Sequence, residues 1–172
     1  MHALIIGAPG VGKSTLIRRV LAELNRPVFG FVTKKEDALA DGEMGGPIYI
    51  YKAGEPHIRT KDNLAGYCKD KHPTAFGETF DRFALHLNAP VPAGDVVVMD
   101  EIGTMETSSK DFCSAVLKLL DGDAPVIAAV KNKDKEFLNT VRSHPNAVCF
   151  YITEDNREAL YEEVLAFIKK QL

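Results

Sequence analysis

The chain has 172 residues, of which 45% are apolar and 26% are charged, with 13 glycines and 9 prolines. This composition is typical of a folded globular protein and excludes disordered and collagen-like chains. The 21 basic and 24 acidic residues give a formal net charge of -3, so we expect neither nucleic acid nor an anionic membrane as a partner.

Short apolar runs rich in Val, Ile, Phe and Tyr have the length and composition of β-strands. They span Ala3 to Ile6, Val28 to Val32, Ile48 to Tyr51, Val96 to Met99, Val126 to Val130 and Val148 to Ile152. Apolar residues at helical spacing lie between several of these runs, at residues 16–24, 80–87, 112–120 and 160–172. The alternation predicts the α/β class, with a mostly parallel sheet between two helical layers in an αβα sandwich.

Two regions interrupt the alternation of strands and helices. Val28 to Thr33 and Pro47 to Lys52 are joined by the turn-forming residues 41–46 instead of a helix, which predicts a β-hairpin. The polar stretch from Glu55 to Pro73 has no clear period, and we predict a surface loop or lid there. The sandwich is therefore expected to carry a hairpin and lid insertion.

Two predicted helices begin with capping signals. Ser108 or Ser109 is placed to cap the helix that starts after them. Asp155 and Glu158 have the spacing of a capping box at the start of the last helix.

A phosphate-binding motif directly follows the first predicted strand. Residues 7–14 match the Gly-x-x-x-x-Gly-Lys-Ser/Thr pattern of the P-loop completely. The glycines allow consecutive backbone N–H groups to surround a phosphate, and the next helix directs its positive dipole end at the same anion. The predicted nucleotide-binding residues are Gly7, Ala8, Pro9, Gly10, Val11, Gly12, Lys13, Ser14 and Thr15.

The last residues of the motif predict the chemistry of the bound group. Lys13 is expected to reach the β and γ phosphate oxygens, and Ser14 to offer its hydroxyl to Mg²⁺. A dinucleotide-binding turn would require Gly-x-Gly-x-x-Gly, a spacing that residues 7–12 do not have. A tight turn with an exposed lysine is the remaining structural alternative.

Two adjacent acids, Asp100 and Glu101, follow the apolar run at residues 96–99. In a parallel sheet they would emerge at the carboxyl edge, beside the P-loop, where open α/β sheets bind ligands. We predict that Asp100 holds Mg²⁺ through water and that Glu101 orients and deprotonates the attacking water. The alternative is a pair of solvated acids at the end of a strand.

These motifs resemble the cancer-related and thermostable nucleoside-triphosphatases, a family of small P-loop enzymes of broad nucleotide specificity. The resemblance rests on residues 7–15, 30–33 (Gly-Phe-Val-Thr), 100–106 (Asp-Glu-Ile-Gly-Thr-Met-Glu) and 153–157 (Thr-Glu-Asp-Asn-Arg). It implies a P-loop αβα domain that hydrolyses nucleoside triphosphates such as ATP or GTP slowly with Mg²⁺. It also implies for Lys13, Asp100 and Glu101 the roles already assigned.

The chain departs from the family pattern after residue 33. Lys35 and Asp37 stand where the family usually has an acid and an arginine, and residues 41–46 contain no arginine. Arg157 starts the last predicted helix and is expected near the same sheet edge, either at a γ-phosphate or in structural contacts.

Two other functions use the same P-loop. A small nucleotide or metabolite kinase would close residues 55–73 as a lid, although Arg59 is the one arginine there and such kinases carry several. A GTP-dependent switch would use slow hydrolysis to time a conformational change. The stretch at 132–135 resembles a guanine-reading motif but is out of register by one residue.

The cysteine pattern and the apolar runs indicate a compartment. Cys68, Cys113 and Cys149 are an odd number at wide spacing, which favours reducing conditions. The apolar runs are far shorter than the ~18 residues that span a bilayer, and the first residues lack the basic region of a secretory signal. We expect a cytoplasmic protein with one domain over residues 1–172.

Overall fold

The computed structural model describes residues 1–172 as a sheet of eight strands with five α-helices. The strands are β1 (His2–Gly7), β2 (Val28–Lys35), β3 (Gly46–Lys52), β4 (Leu64–Lys69), β5 (His72–Ala75), β6 (Val96–Ile102), β7 (Val126–Lys131) and β8 (Ala147–Tyr151). The helices are α1 (Lys13–Leu24), α2 (Gly77–Leu87), α3 (Lys110–Asp121), α4 (Glu136–Arg142) and α5 (Arg157–Lys169). None of these helices combines the length and apolar character needed to cross a membrane.

The strands lie in the order β5-β4-β3-β2-β6-β7-β1-β8. From β2 to β8 all neighbours are parallel, and β3, β4 and β5 extend the sheet as antiparallel strands. Because β7 lies between β6 and β1, the carboxyl ends of these three strands meet at one edge. The predicted α/β class and the β2–β3 hairpin are confirmed.

Apolar cores cover both faces of the sheet, as the continuous apolar runs predict. Successive residues of β1 alternate between them: Ala3 and Ile5 face α1 and α5, whereas Leu4 and Ile6 face the core that contains α2, α3 and α4. All four side chains are fully buried. Burial on both faces holds β1 rigidly and thereby positions the loop that follows it.

The surface loop or lid predicted over Glu55 to Pro73 is confirmed for residues 55–63, which form a mostly exposed loop between β3 and β4, and is wrong for the residues after them. Residues 64–69 and 72–73 form β4 and the start of β5, two strands that pair with each other and, through β4, with β3. Gly66 interrupts the apolar alternation in β4, because its φ of 154° and the close Thr74 carbonyl exclude a side chain there. The strands therefore depend on pairing with distant residues, which no local pattern reveals.

The capping signals had different outcomes. Ser109 caps α3, since its hydroxyl oxygen accepts a hydrogen bond from the Phe112 N–H at 3.0 Å, so this prediction is confirmed. The capping box of Asp155 and Glu158 is wrong. Glu158 instead forms a bidentate salt bridge with Arg19 of α1, at 2.7 and 2.9 Å, which joins α5 to α1.

Candidate active site

The P-loop connects β1 to α1, and glycines determine its backbone path. Gly10 and Gly12 have φ angles of 75° and 112°, in the left-handed region that favours glycine. Gly12 immediately precedes α1, so the loop lies against a helix N-terminus, where backbone N–H groups and the helix dipole attract anions. All the nucleotide-binding residues predicted at 7–15 therefore lie together at this junction.

Lys13 is folded into the P-loop and has only 5% of its surface exposed. Its Nζ donates hydrogen bonds to the carbonyl oxygens of Gly7 and Ala8, at 3.1 and 3.0 Å. The same nitrogen lies 3.1 Å from Oε2 of Glu101. The ammonium group is thus next to both the predicted phosphate site and the predicted base.

Ser14 and Asp100 meet as the sequence predicts. The Ser14 hydroxyl donates a hydrogen bond to Oδ1 of Asp100 at 2.8 Å. Burial raises the pKa of the Asp100 carboxyl, while this hydrogen bond opposes the rise. A hydroxyl and a carboxylate side by side form an oxygen donor set of the kind that Mg²⁺ prefers, so these residues fit a divalent cation.

Glu101 lies between two cations. Its side chain is 24% exposed, and its two carboxylate oxygens pair with Lys13 at 3.1 Å and with Lys131 at 3.5 Å. Lys131 is the last residue of β7 and was missed by sequence reasoning, although a charged residue directly after an apolar strand is the same signal that identified Asp100.

Thr33, near the end of β2, is a second residue whose role sequence reasoning missed. Its hydroxyl donates to the Asp100 carbonyl oxygen at 3.4 Å and lies 3.3 Å from the Glu101 N–H, which donates to it. These contacts connect β2 to the backbone of both acids. The Gly-Phe-Val-Thr motif was the available signal in the sequence. Its position next to β6 follows only from the pairing of β2 with β6 in the sheet.

Glu106 is a third missed residue, buried at 3% exposure beneath the loop that follows β6. Its Oε2 accepts a hydrogen bond from the Gly103 N–H at 2.8 Å. Burial raises the pKa of Glu106 to about 7, against an ordinary value of 4.5. The side chain therefore shapes the loop after β6 from inside the protein.

The raised pKa of Glu106 predicts a pH dependence of stability. Between the unfolded and folded pKa values the folded protein holds a proton that the unfolded chain has lost, so the free energy of unfolding falls as pH rises through that window. In Glu106→Gln this fall is absent, and we expect the decline from pH 5 to pH 8 to be smaller than in the parent by about 2–3 kcal/mol. Urea denaturation at both pH values measures the difference.

The exposed Glu163 offers a matched control for this prediction. Glu163→Gln makes the same chemical change on the surface, and we expect it to retain the parent's pH dependence. Equal pH dependence in Glu106→Gln and in the parent would mean that Glu106 titrates alike in the folded and unfolded chains.

A cavity of about 250 Å³ opens between the P-loop and the ends of β2, β6 and β7. Its lining includes Ser14, Thr33, Asp100, Glu101 and Lys131. The cavity thus joins the predicted metal ligands, the predicted base and a second cation in one space at the carboxyl edge of the sheet.

Arg157 lies against the P-loop, as expected for the start of the last helix. Its Nε donates a hydrogen bond to the Val11 carbonyl oxygen at 2.8 Å. The expected roles of Arg157 were contact with a γ-phosphate or a structural contact. The structure shows the structural contact, which fixes the P-loop to α5.

Comparisons with known proteins identify the family of the chain. A family model described as NTPase matches residues 2–165, which includes the P-loop, both acids and Lys131. The chain belongs to this nucleoside-triphosphatase family. The predicted resemblance is confirmed, and so are the enzyme class and the hydrolysis of nucleoside triphosphates at the level of the family.

Nucleoside-triphosphatases from distant organisms are similar to the chain over nearly its whole length. Nucleoside-triphosphatase THEP1 of Thermotoga sp. (strain RQ2) is 32% identical, with coverage of 98% of this chain and 96% of that protein. The protein of the same name from Pyrococcus abyssi is 29% identical, with coverage of 100% and 94%.

Two solved structures share the fold. The crystal structure of THEP1 from the hyperthermophile Aquifex aeolicus superposes with a TM-score of 0.72 at 26% identity, covering 98% of this chain and 99% of that chain. The solution structure of a human cancer-related nucleoside triphosphatase gives 0.68 at 25% identity, covering 98% and 97%. Both likenesses extend through the antiparallel strands as well as the P-loop core.

Proposed function

We propose that this nucleoside-triphosphatase hydrolyses ATP, GTP and other nucleoside triphosphates with Mg²⁺, releasing nucleoside diphosphate and phosphate. The observation that supports the proposal is that two pairs of side chains are in contact next to each other at one edge of the sheet. Ser14 and Asp100 are 2.8 Å apart, and Lys13 and Glu101 are 3.1 Å apart. The proposed metal ligands and the proposed base thus line one cavity, and the phosphate-binding Lys13 contacts that base.

Phosphate binding falls to the P-loop in this mechanism. The backbone N–H groups at the start of α1 contact the phosphate oxygens, and Lys13 moves its Nζ from the Gly7 and Ala8 carbonyls to the β and γ oxygens. Ser14 and Asp100 would hold Mg²⁺, which supplies positive charge against the phosphate oxygens in the transition state. Arg157 keeps the loop in place through Val11.

Glu101 supplies the base. Its carboxylate is partly exposed at the cavity, close to the Lys13 ammonium and therefore to the γ-phosphate that Lys13 would bind. It accepts a hydrogen bond from water, directs the water oxygen at the γ-phosphorus and takes the water proton as the new bond to phosphorus forms. The bond from the γ-phosphorus to the bridging oxygen of the β-phosphate breaks in the same reaction, and nucleoside diphosphate leaves. Thr33 holds the backbone of Glu101 and thereby its distance from the P-loop.

The hairpin formed by β4 and β5 favours hydrolysis over phosphoryl transfer to an acceptor. A kinase would use residues 55–73 as a mobile lid, whereas residues 64–69 and 72–73 of that stretch are paired into the sheet. Phosphate release measured with each nucleoside triphosphate, with and without nucleoside monophosphate acceptors, separates the two reactions. Transfer to an acceptor in place of phosphate release would overturn the proposal.

We also propose that residues 1–172 act as one domain in the reducing cytoplasm. Cys68, Cys113 and Cys149 are all free thiols, which supports a reducing compartment.

The proposed metal role of Asp100 predicts the behaviour of Asp100→Asn. A neutral amide holds a hydrated cation less strongly than a carboxylate, so we expect the Mg²⁺ concentration for half-maximal phosphate release to rise by about tenfold to 100-fold. Phosphate release across a Mg²⁺ titration measures this. Asp123→Asn, at an exposed position, is the control and should follow the parent curve. An unchanged Mg²⁺ requirement in Asp100→Asn would remove Asp100 from the metal site.

A further inference from the structure

The unusual feature of the site is that the predicted base touches two lysines with different surroundings. Lys13 is almost fully buried in the P-loop, while the Lys131 side chain is 33% exposed at the end of β7. Lys13 Nζ has two carbonyl partners besides Glu101. Lys131 forms its salt bridge with Glu101, at 3.5 Å.

The two neighbouring strands and α4 hold the backbone of Lys131 in this position. Lys131 pairs with Gly7 of β1, and its neighbour Val130 pairs with Ile102 of β6, so it lies between the P-loop and the acids. Arg142 of α4 donates a hydrogen bond to the Lys131 carbonyl oxygen at 2.9 Å. The backbone that carries the ammonium group is therefore fixed on β7.

Gly103 provides the space for the Lys131 side chain. A Cβ atom at Gly103 would lie 3.0 Å from Cδ and 3.3 Å from Cε of Lys131, tighter than ordinary van der Waals contact. The absence of a side chain at residue 103 thus allows the lysine stem to cross the loop after β6 and reach Glu101.

The two lysines take different roles when substrate binds, and this inference rests on the proposed function. Lys13 then shares its charge with the β and γ phosphate oxygens, which compete with Glu101 for its ammonium group. Lys131 lies outside the P-loop and keeps its contact. We propose that Lys131 is a positioning residue, which holds the Glu101 carboxylate toward the attacking water while Lys13 binds the triphosphate.

Glu106 is a second acid near Lys131. The positive charge of Lys131 lowers the pKa of Glu106, but burial raises it by more. Its Oε2 is already bonded to the Gly103 N–H inside the protein. Glu101 and Glu106 both line the cavity with Lys131, but the Lys131 ammonium forms its salt bridge with Glu101, so the ion pair that matters for the reaction is the one to Glu101.

The test measures kcat and KM for Lys131→Met and Lys131→Arg, with Lys133→Met as a matched control at an exposed lysine in the loop that follows β7. Misplacing a reacting group costs up to ~100-fold in rate, so we expect Lys131→Met to lower kcat by about tenfold to 100-fold and to leave KM within about twofold. Lys131→Arg should restore most of kcat, and Lys133→Met should match the parent. Lys131→Gln provides a second neutral side chain if Lys131→Met does not fold.

A double variant decides whether Lys131 acts through Glu101. In a Glu101→Gln background, Lys131→Met should cause no further loss, because the carboxylate that it positions is gone. A further loss there, an unchanged kcat in Lys131→Met alone, or a rise in KM as large as the loss in kcat would each overturn the inference. Failure of the proposed function would be seen separately, as absent hydrolysis in the parent or parental kcat in Glu101→Gln.

Discussion

Lys13→Ala is expected to lose both nucleoside triphosphate affinity and turnover. The Lys13 ammonium is the cation enclosed by the P-loop, with its Nζ within 3.1 Å of the Gly7 and Ala8 carbonyl oxygens and of Glu101. Hydrogen bonds to charged groups contribute about 1.5–3 kcal/mol, so affinity should fall by roughly tenfold to 100-fold. Calorimetry with Mg²⁺ and nucleoside triphosphate measures the loss directly.

The fold should tolerate this substitution, because Glu101 keeps its ion pair with Lys131. Lys133→Ala removes an exposed lysine from the loop that follows β7 and is expected to bind nucleotide as the parent does. Tight binding retained by Lys13→Ala would mean that the P-loop is not the nucleotide site.

Glu101→Gln is expected to separate binding from chemistry. The amide keeps the size of the side chain and most of its hydrogen bonding but cannot take a proton from water. General-base assistance contributes ~10²–10⁴-fold in rate, so kcat should fall by about that much while affinity for Mg²⁺ and nucleotide stays near the parental value. Single-turnover phosphate release and calorimetry on the same protein measure the two quantities.

Asp100→Asn provides the contrast, because it should change the Mg²⁺ requirement as well as the rate. Comparing kcat of both variants across a Mg²⁺ titration assigns the roles of the two adjacent acids. Near-parental kcat in Glu101→Gln together with loss in Asp100→Asn would make Glu101 structural, and would favour a switch or kinase reaction in which that position need not act as a base.

Much of the site could be predicted because it depends on local patterns. A P-loop needs glycines, a lysine and a hydroxyl at set spacing within one strand-loop-helix unit, and residues 7–15 satisfy that requirement without reference to the rest of the chain. The position of Asp100 and Glu101 beside the P-loop could be predicted because the carboxyl ends of parallel strands meet at one edge of the sheet. The Ser14 to Asp100 contact agrees with that reasoning across 86 residues of sequence.

Other elements could not be predicted, because the local sequence has little influence on whether they form. The strands β4 and β5 are short and contain Gly66 and Pro73, residue types that are unfavourable inside strands, so their β-structure comes from pairing with β3 and with each other. Helix α4 has only seven residues, too few for a clear helical period. Their formation is a result of nonlocal contacts.

The sequence by itself determined the αβα class, the P-loop and the two acids, since each depends on short-range spacing or on strand polarity. Only the tertiary structure decided which side chains surround those acids. Thr33 and Lys131 reach Glu101 from β2 and β7, strands that flank β6 because of sheet order. Sheet order and side-chain direction depend on packing over the whole chain, so the second cation at Glu101 is a property of the folded protein.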